Sequence, residues 1–266
     1  MRALCLAIAF LSSVAYADEI TIIPIGIERG GNQTTVSIGD VRLRAVIDTS
    51  GYHSVGISPD ALNRLNVRFQ HTFVERIDGA GQRFRGREFI IPELHLGNGI
   101  FRDVAGFERH ESADAQFGRA PFEVAIGREF LQRYRVIVDY PGHRIELHST
   151  RSHPVCGEPT GTIEPHPSGL MYSIFLTDDG PLKLAWDTGS TYSLIQKRLA
   201  AERGMRFQDE RYATHRLRLG SRELGPHRMV VLDLAGAPEI DGVLGSNFFA
   251  QHRVCFDYPA RTISVR

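Results

Sequence analysis

The chain reads as a mainly β protein made of two similar β-barrel-like lobes. Three observations lead there. Short runs rich in Val and Ile alternate with Gly, Asn and Asp turns. One ordered set of landmarks occurs twice along the chain. A stretch rich in Pro and Gly, residues 151–167, separates the two copies. A chain of 266 residues suits two modest lobes.

Residues 1–17 stand apart from the lobes. Arg2 opens them, Ala3 to Leu11 is apolar, and Ala15-Tyr16-Ala17 has the small-x-small form of a cleavage site. The segment reads as a secretory signal peptide, and its apolar core is too short to span a bilayer. The expectation is an exported protein, periplasmic or secreted, without membrane insertion of the mature chain. Removal of the leader takes Cys5 with it and leaves Cys156 and Cys255. Export permits disulfides. Cys156 and Cys255 either form a bond tying the linker to the second half or remain unrelated thiols.

The first lobe, residues 18–150, starts with strand-like runs at Glu19 to Ile27, Thr34 to Ile38 and Arg42 to Ile47. Gly26 to Gly31 has no phosphate-loop spacing and reads as a hairpin turn. Ser58-Pro59-Asp60 opens a short helix, with Ser as cap and Pro in the first turn. Later strands are expected at Phe89 to Leu96, Arg135 to Asp139 and Arg144 to Leu147. Asn98-Gly99 is a hairpin signal. In the second lobe, residues 168–266, an apolar run reaches Trp186, which alternation assigns to the core. A helix is expected from Ile195 to Arg203, stopped by Gly204.

The repeat is visible residue by residue. Asp48-Thr49-Ser50-Gly51 corresponds to Asp187-Thr188-Gly189-Ser190, each after an apolar strand. Asn66-Val67-Arg68-Phe69 corresponds to Gly204-Met205-Arg206-Phe207, and His95-Leu96-Gly97 to Arg218-Leu219-Gly220. Ala125-Ile126-Gly127 corresponds to Val243-Leu244-Gly245, each followed at the same interval by Phe130 and Phe248. Asp139-Tyr140-Pro141 and Asp257-Tyr258-Pro259 close the two copies. The first copy carries an extra segment near Val74 to Arg87, tipped by Asp78-Gly79-Ala80-Gly81. Polar and glycine-rich, it reads as an exposed loop or a mobile lid.

One Asp-Thr pair caps a turn readily. Two at equivalent places in a duplicated fold ask for chemistry. Like lobes packed about a pseudo-twofold bring the same loop to one place. Two facing carboxylates cannot both ionise cheaply and share a proton, so one serves as base and the other as acid. That combination activates water against a peptide carbonyl with no metal or covalent intermediate.

On these residues the chain resembles the pepsin/retropepsin-like aspartic proteases, in a two-lobed single-chain form close to the bacterial type. The resemblance spans nearly all of the mature sequence. It implies that Asp48 and Asp187 are catalytic and that Thr49 and Thr188 cross-link the two loops. It further implies that Gly189, Ser190, Gly127 and Gly245 shape those loops, and that Asp78, Gly79, Ala80 and Gly81 belong to a single substrate-covering flap. The implied substrate is an extended peptide or protein, and a monomer is expected. Ser50 departs from the pattern, with Gly displaced to position 51. A side chain there is expected to crowd the turn, and the lost hydroxyl at 51 to remove a hydrogen bond from Asp48. An alternative reading is a binding module that has lost hydrolysis.

Other chemistry finds less support. The 31 basic and 31 acidic residues balance, so nothing points to nucleic acid. His143, His148 and His153 lack metal-ligand spacing, and neither metal nor cofactor is expected.

Overall fold

A computed structural model describes residues 20–28, 31–77, 83–109, 122–151, 155–203, 211–234, 237 and 239–266. The signal-peptide segment and the tip Asp78 to Gly81 lie outside the described residues. The first half runs β1 (Thr21–Pro24), β2 (Gly26–Glu28), β3 (Gly31–Ile38), β4 (Val41–Ile47), β5 (Val55–Ile57), α1 (Pro59–Leu62), β6 (Arg68–Ile77), β7 (Arg83–Leu96), β8 (Gly99–Glu108), β9 (Val124–Ile126), α2 (Arg128–Leu131), β10 (Tyr134–Asp139) and β11 (Arg144–Ser149). The second half runs β12 (Gly161–Thr162), β13 (Glu164–Pro165), β14 (Met171–Thr177), β15 (Gly180–Trp186), β16 (Leu194–Gln196), α3 (Arg198–Arg203), β17 (Tyr212–Leu219), β18 (Arg222–Leu232), β19 (Gly242–Leu244), α4 (Ser246–Phe249), β20 (Val254–Asp257) and β21 (Thr262–Val265).

The two lobes have the same topology. The first is the sheet β2-β3-β4-β9-β5-β8-β7-β6, closed by pairing of β3 with β7. The second is β13-β14-β15-β19-β16-β18-β17, closed by β14 with β17. Closure removes most of the exposed sheet edge. Two parallel pairings recur in each lobe. β4 runs beside β9 as β15 runs beside β19, and β5 beside β8 as β16 beside β18. Among the described residues, β6 is the one strand of the first sheet without a counterpart in the second. It pairs with β7 up to Ile77↔Arg83, so the two arms run out together toward residues 78–82. Phe84, near the outer end of the described arms, packs on Phe107 of β8.

A third sheet, β1-β11-β10-β20-β21-β12, is shared by both halves. At its centre β10 and β20 pair antiparallel, with Ile137 opposite Cys255. These two residues hold equivalent places, each two positions before an Asp-Tyr-Pro, so the pseudo-twofold passes between them. Arg135 reaches across the same seam to Asp257 at 2.7 Å.

The burial patterns follow from this arrangement. β4 and β15 begin with alternating exposure and end in three buried residues, where each strand dives between its neighbours. One apolar cluster then spans both lobes. Trp186, fully buried, is ringed by Phe175, Phe248, Phe249 and Phe256.

The structure corrects four boundaries. Where one strand is expected from Glu19 to Ile27, the described residues form two, Thr21–Pro24 and Gly26–Glu28, because the chain changes sheets at Ile25, whose N–H donates to the His143 carbonyl. The helix expected from Ile195 begins at Arg198, since Leu194 to Gln196 pair with β18 and β19. The strand expected from Phe89 starts at Arg83, extended by its pairing with β6. Strand pairing also begins at Gly161, inside the stretch read as linker.

Cys156 and Cys255 form a disulfide with Cα atoms 5.3 Å apart, closing a separation of 99 residues. It fastens the chain between the lobes to the central strand β20. We expect the Cys156→Ala/Cys255→Ala variant to lose about 2–4 kcal/mol of stability, since a long loop of the unfolded chain is released. Urea unfolding of both proteins, with and without reductant, checks this; equal midpoints throughout would contradict it.

Candidate active site

Asp48 and Asp187 each follow the last residue of a buried strand, β4 and β15. The backbone holds the two turns alike. Asp48 N–H donates to Ile126 O at 2.8 Å and Asp187 N–H to Leu244 O at 3.0 Å. Gly51 N–H and Ser190 N–H close the turns onto the carbonyls of Asp48 and Asp187, each at 3.2 Å.

The threonines join one turn to the other. Thr49 Oγ1 accepts the Thr188 N–H at 3.0 Å and donates to Trp186 O at 2.9 Å. Thr188 Oγ1 accepts the Thr49 N–H at 3.1 Å and donates to Ile47 O at 2.6 Å. Each hydroxyl is thus satisfied twice by the opposite lobe, and each threonine is only 1% exposed. Unpaired backbone groups at this depth would be costly, and the reciprocal pattern leaves these four with partners. Asn32 adds a clamp. Its amide nitrogen lies within 3.0 Å of Ile47 O, Thr188 O and the Tyr140 hydroxyl, while its carbonyl accepts the Ile47 N–H.

The grip brings the acids into one neighbourhood. A Cβ built on Gly189 would stand 2.6 Å from Asp48 Cγ, so the first carboxylate packs directly on the second turn. Both aspartates are half-buried, whereas the threonines beside them are closed from solvent. The Tyr140 phenol is pushed above its ordinary pKa first by burial, with the charges of Asp187 and Asp48 adding to it. Both acids therefore act on one hydroxyl.

Ser50 behaves differently from expectation. Its hydroxyl donates to Asp48 Oδ1 at 2.7 Å, and the N–H groups of Ser50 and Gly51 reach the same oxygen at 2.9 and 3.0 Å. Ser50 is not among the residues with positive φ, so the turn carries no left-handed strain. The hydroxyl expected to be lost at position 51 is supplied from position 50. In the second turn Ser190 instead donates to Tyr192 O at 2.8 Å.

Gly127 and Gly245 close the loops from behind. A Cβ at Gly127 would fall 2.2 Å from His53 O, and one at Gly245 2.4 Å from Tyr192 O. The backbones approach too closely for any side chain, which is why glycine follows Ala125-Ile126 and Val243-Leu244. Gly127 N–H donates to the Ser54 carbonyl, but Gly245 N–H donates to the Ser193 hydroxyl at 2.9 Å. That hydroxyl donates to Asn247 Oδ1 at 2.8 Å, so His227 Nε2, also at 2.8 Å, must donate to it. His227 is 3% exposed, and burial, followed by the neighbouring His252, lowers its pKa to about 4.

Sequence reasoning singled out both acids, both threonines and the glycines, and the structure brings these into one cluster. Asp78, Gly79, Ala80 and Gly81 lie outside the described residues; the arms β6 and β7 lead to them. Cys156 and Cys255 are bonded away from the cluster. Asn32, Tyr140 and the His227–Ser193–Asn247 network went unseen. Asn32 fell between the turn read to Gly31 and the strand read from Thr34, and Tyr140 was visible as a repeat landmark without a role. Among the described residues no three His, Cys, Asp or Glu converge as a metal site, and no helix is long and apolar enough to cross a membrane.

No protein-family model matches the sequence, and a search of curated proteins finds no match. Solved structures do match in shape. An aspartic proteinase from Irpex lacteus superposes with a TM-score of 0.62 at 12% identity, covering 93% of this chain and 97% of its own. Basic 7S globulin from soybean superposes with a TM-score of 0.63 at 8% identity, covering 94% and 95%. The fold is therefore pepsin-like, shared with an aspartic proteinase and with a globulin whose name carries no activity.

Two outcomes follow from this geometry. Thr188→Val leaves Thr49 N–H without a partner and Ile47 O with Asn32 as its one remaining side-chain donor, and should cost about 1–3 kcal/mol, whereas Thr188→Ser should cost much less; urea unfolding of the two variants decides, and equal losses would contradict the grip. His227 is held neutral when folded but charges readily when unfolded. Its contribution is fully present above its ordinary pKa of about 6.5 and is lost as pH falls toward and through 4, about 2–4 kcal/mol in all. Melting temperatures taken across that window should drop less in His227→Gln than in the parent, and parallel drops would rule His227 out as the cause.

Proposed function

We propose that the mature chain is an exported aspartic endopeptidase, acting as a monomer on extended peptides or unfolded protein segments. The observation that carries this reading is the pairing of two equivalent Asp-bearing turns by the reciprocal threonine bonds, with the Asp48 carboxylate seated on Gly189. One carboxylate takes a proton from a water held between the two acids, and the other protonates the carbonyl oxygen as the water oxygen bonds to carbon. The tetrahedral species collapses as the C–N bond breaks: the amine leaves with a proton from the first acid, and one diol hydroxyl returns its proton to the second. The pair shares its protons throughout, so neither acid owns a separate role in titration. Ser50, through its hydroxyl and N–H on Asp48 Oδ1, fixes the orientation of that carboxylate. The arms β6 and β7 carry residues 78–81 as the flap, and an extended peptide pairs with its main chain. Export rests on residues 1–17, removed as a signal peptide.

A second reading is supported by the similarity to a globulin: the same fold serving as a peptide-binding module without hydrolysis. Incubating residues 18–266 with a diverse peptide library from about pH 3 to 8, with products read by mass spectrometry, separates the two. Under the peptidase reading cleavage occurs and falls by at least about a thousandfold in both Asp48→Asn and Asp187→Asn, since each acid acts in the same step. Cleavage surviving either substitution refutes the two-acid mechanism. Peptides bound but never cut establish the binding module instead.

A further inference from the structure

Arg128 stands one residue beyond Gly127, and its N–H donates to Gly51 O at 2.6 Å, so it is anchored to the Asp48 turn. Its guanidinium lies at the seam between the lobes. Arg128 Nη2 is 3.5 Å from where a Cβ on Gly169 of the second lobe would stand, and Tyr52 Cβ is 3.6 Å from the same point. The side chain is half-buried, and its Nε is buried with no hydrogen-bond partner. Among the described residues it makes no ion pair. Burial lowers its pKa, while the nearby Tyr258 and Glu129 do less in the opposite direction. A desolvated guanidinium without a carboxylate is a costly arrangement that calls for a partner.

The fold itself does not require the cation. The equivalent position in the second lobe is Ser246. The surroundings are lopsided in the same sense. Tyr140 has its hydroxyl satisfied by Asn32 and Thr188. Its counterpart Tyr258 is 9% exposed, its hydroxyl is buried with no partner, and it lies within electrostatic range of both Arg128 and Asp48. Strand register puts Met171 where the first lobe has Asn32, so this position offers Tyr258 no amide. One quadrant around the dyad thus holds a guanidinium and a phenol with donors to spare.

We propose that Arg128 is a carboxylate-binding subsite that makes this cleft select acidic peptides. The proposal rests on the peptide cleft described above and names the substrate class it takes. A planar guanidinium binds a carboxylate through paired hydrogen bonds, and neither a neutral amide nor a cation replaces that interaction. The carboxylate comes either from a Glu or Asp side chain within the peptide or from a free C-terminus.

The test uses the Asp187→Asn form of residues 18–266, so that binding is read without hydrolysis. Fluorescence anisotropy is measured with extended peptides in which Glu is exchanged for Gln position by position, each as free acid and as C-terminal amide. We expect Glu at one position, or the free terminus, to bind about tenfold tighter than its neutral match. The preference should vanish in Arg128→Gln and turn toward Lys-bearing peptides in Arg128→Glu, with Arg128→Met as a control for packing. Peptides that bind with no acid preference, or with a preference unchanged in Arg128→Gln, overturn the subsite and leave the cleft intact. Failure of every peptide to bind overturns both.

Discussion

The reciprocal hydrogen bonds of Thr49 and Thr188 are the constraint on which the rest of the molecule depends. Each hydroxyl spans to the main chain of the opposite lobe, so neither turn has its polar groups satisfied without the other. A bond of this kind is worth little net in water. Its force here comes from burial, where a missing partner costs far more than a present one gains. The aspartates inherit their positions from it. They stand at the next residue back, held by strands whose buried ends admit no sliding by one residue without turning Trp186 or Ile47 outward.

Upon this symmetric frame the chain places unequal details. Ser and Gly exchange places between the two turns, so that Ser50 donates to a carboxylate while Ser190 donates to a carbonyl. Gly127 leans on a carbonyl, but Gly245 leans on a hydroxyl belonging to a buried network with His227. Asn32 clamps one side only. The six-stranded sheet below keeps the halves in register through all of this, because its central pair crosses the dyad and its flanks draw strands from both.

Much of this was legible in the residues. The repeat exposed the duplicated topology because the landmarks are the places where packing tolerates no alternative: glycines with no room for a Cβ, strand ends and the acid turns. Trp186 followed from alternation. What stayed hidden depends on contacts between distant segments. Asn32 lies in sequence far from Thr188 and Tyr140, and nothing local marks it as a clamp. The sheet change at Ile25 is set by His143 across the fold, and the helix start at Arg198 by the pull of β18 on Leu194 to Gln196. Ser50 was misjudged for a related reason. Reading by position counted a hydroxyl as missing, whereas the turn only asks that some hydroxyl reach Asp48 Oδ1, and a neighbouring residue does so without strain.

The meeting of Ile137 with Cys255 has an ancestral implication. Equivalent residues that face one another across an axis would, in an assembly of two identical chains, be one residue facing its own copy. A single lobe could therefore have paired with a twin through this strand, each contributing one acid to a common groove. Within one polypeptide that demand for identity is absent. One half carries a cation after its loop glycine and an amide under its turn, while the other carries the cysteine that fastens the joining segment to the axis itself.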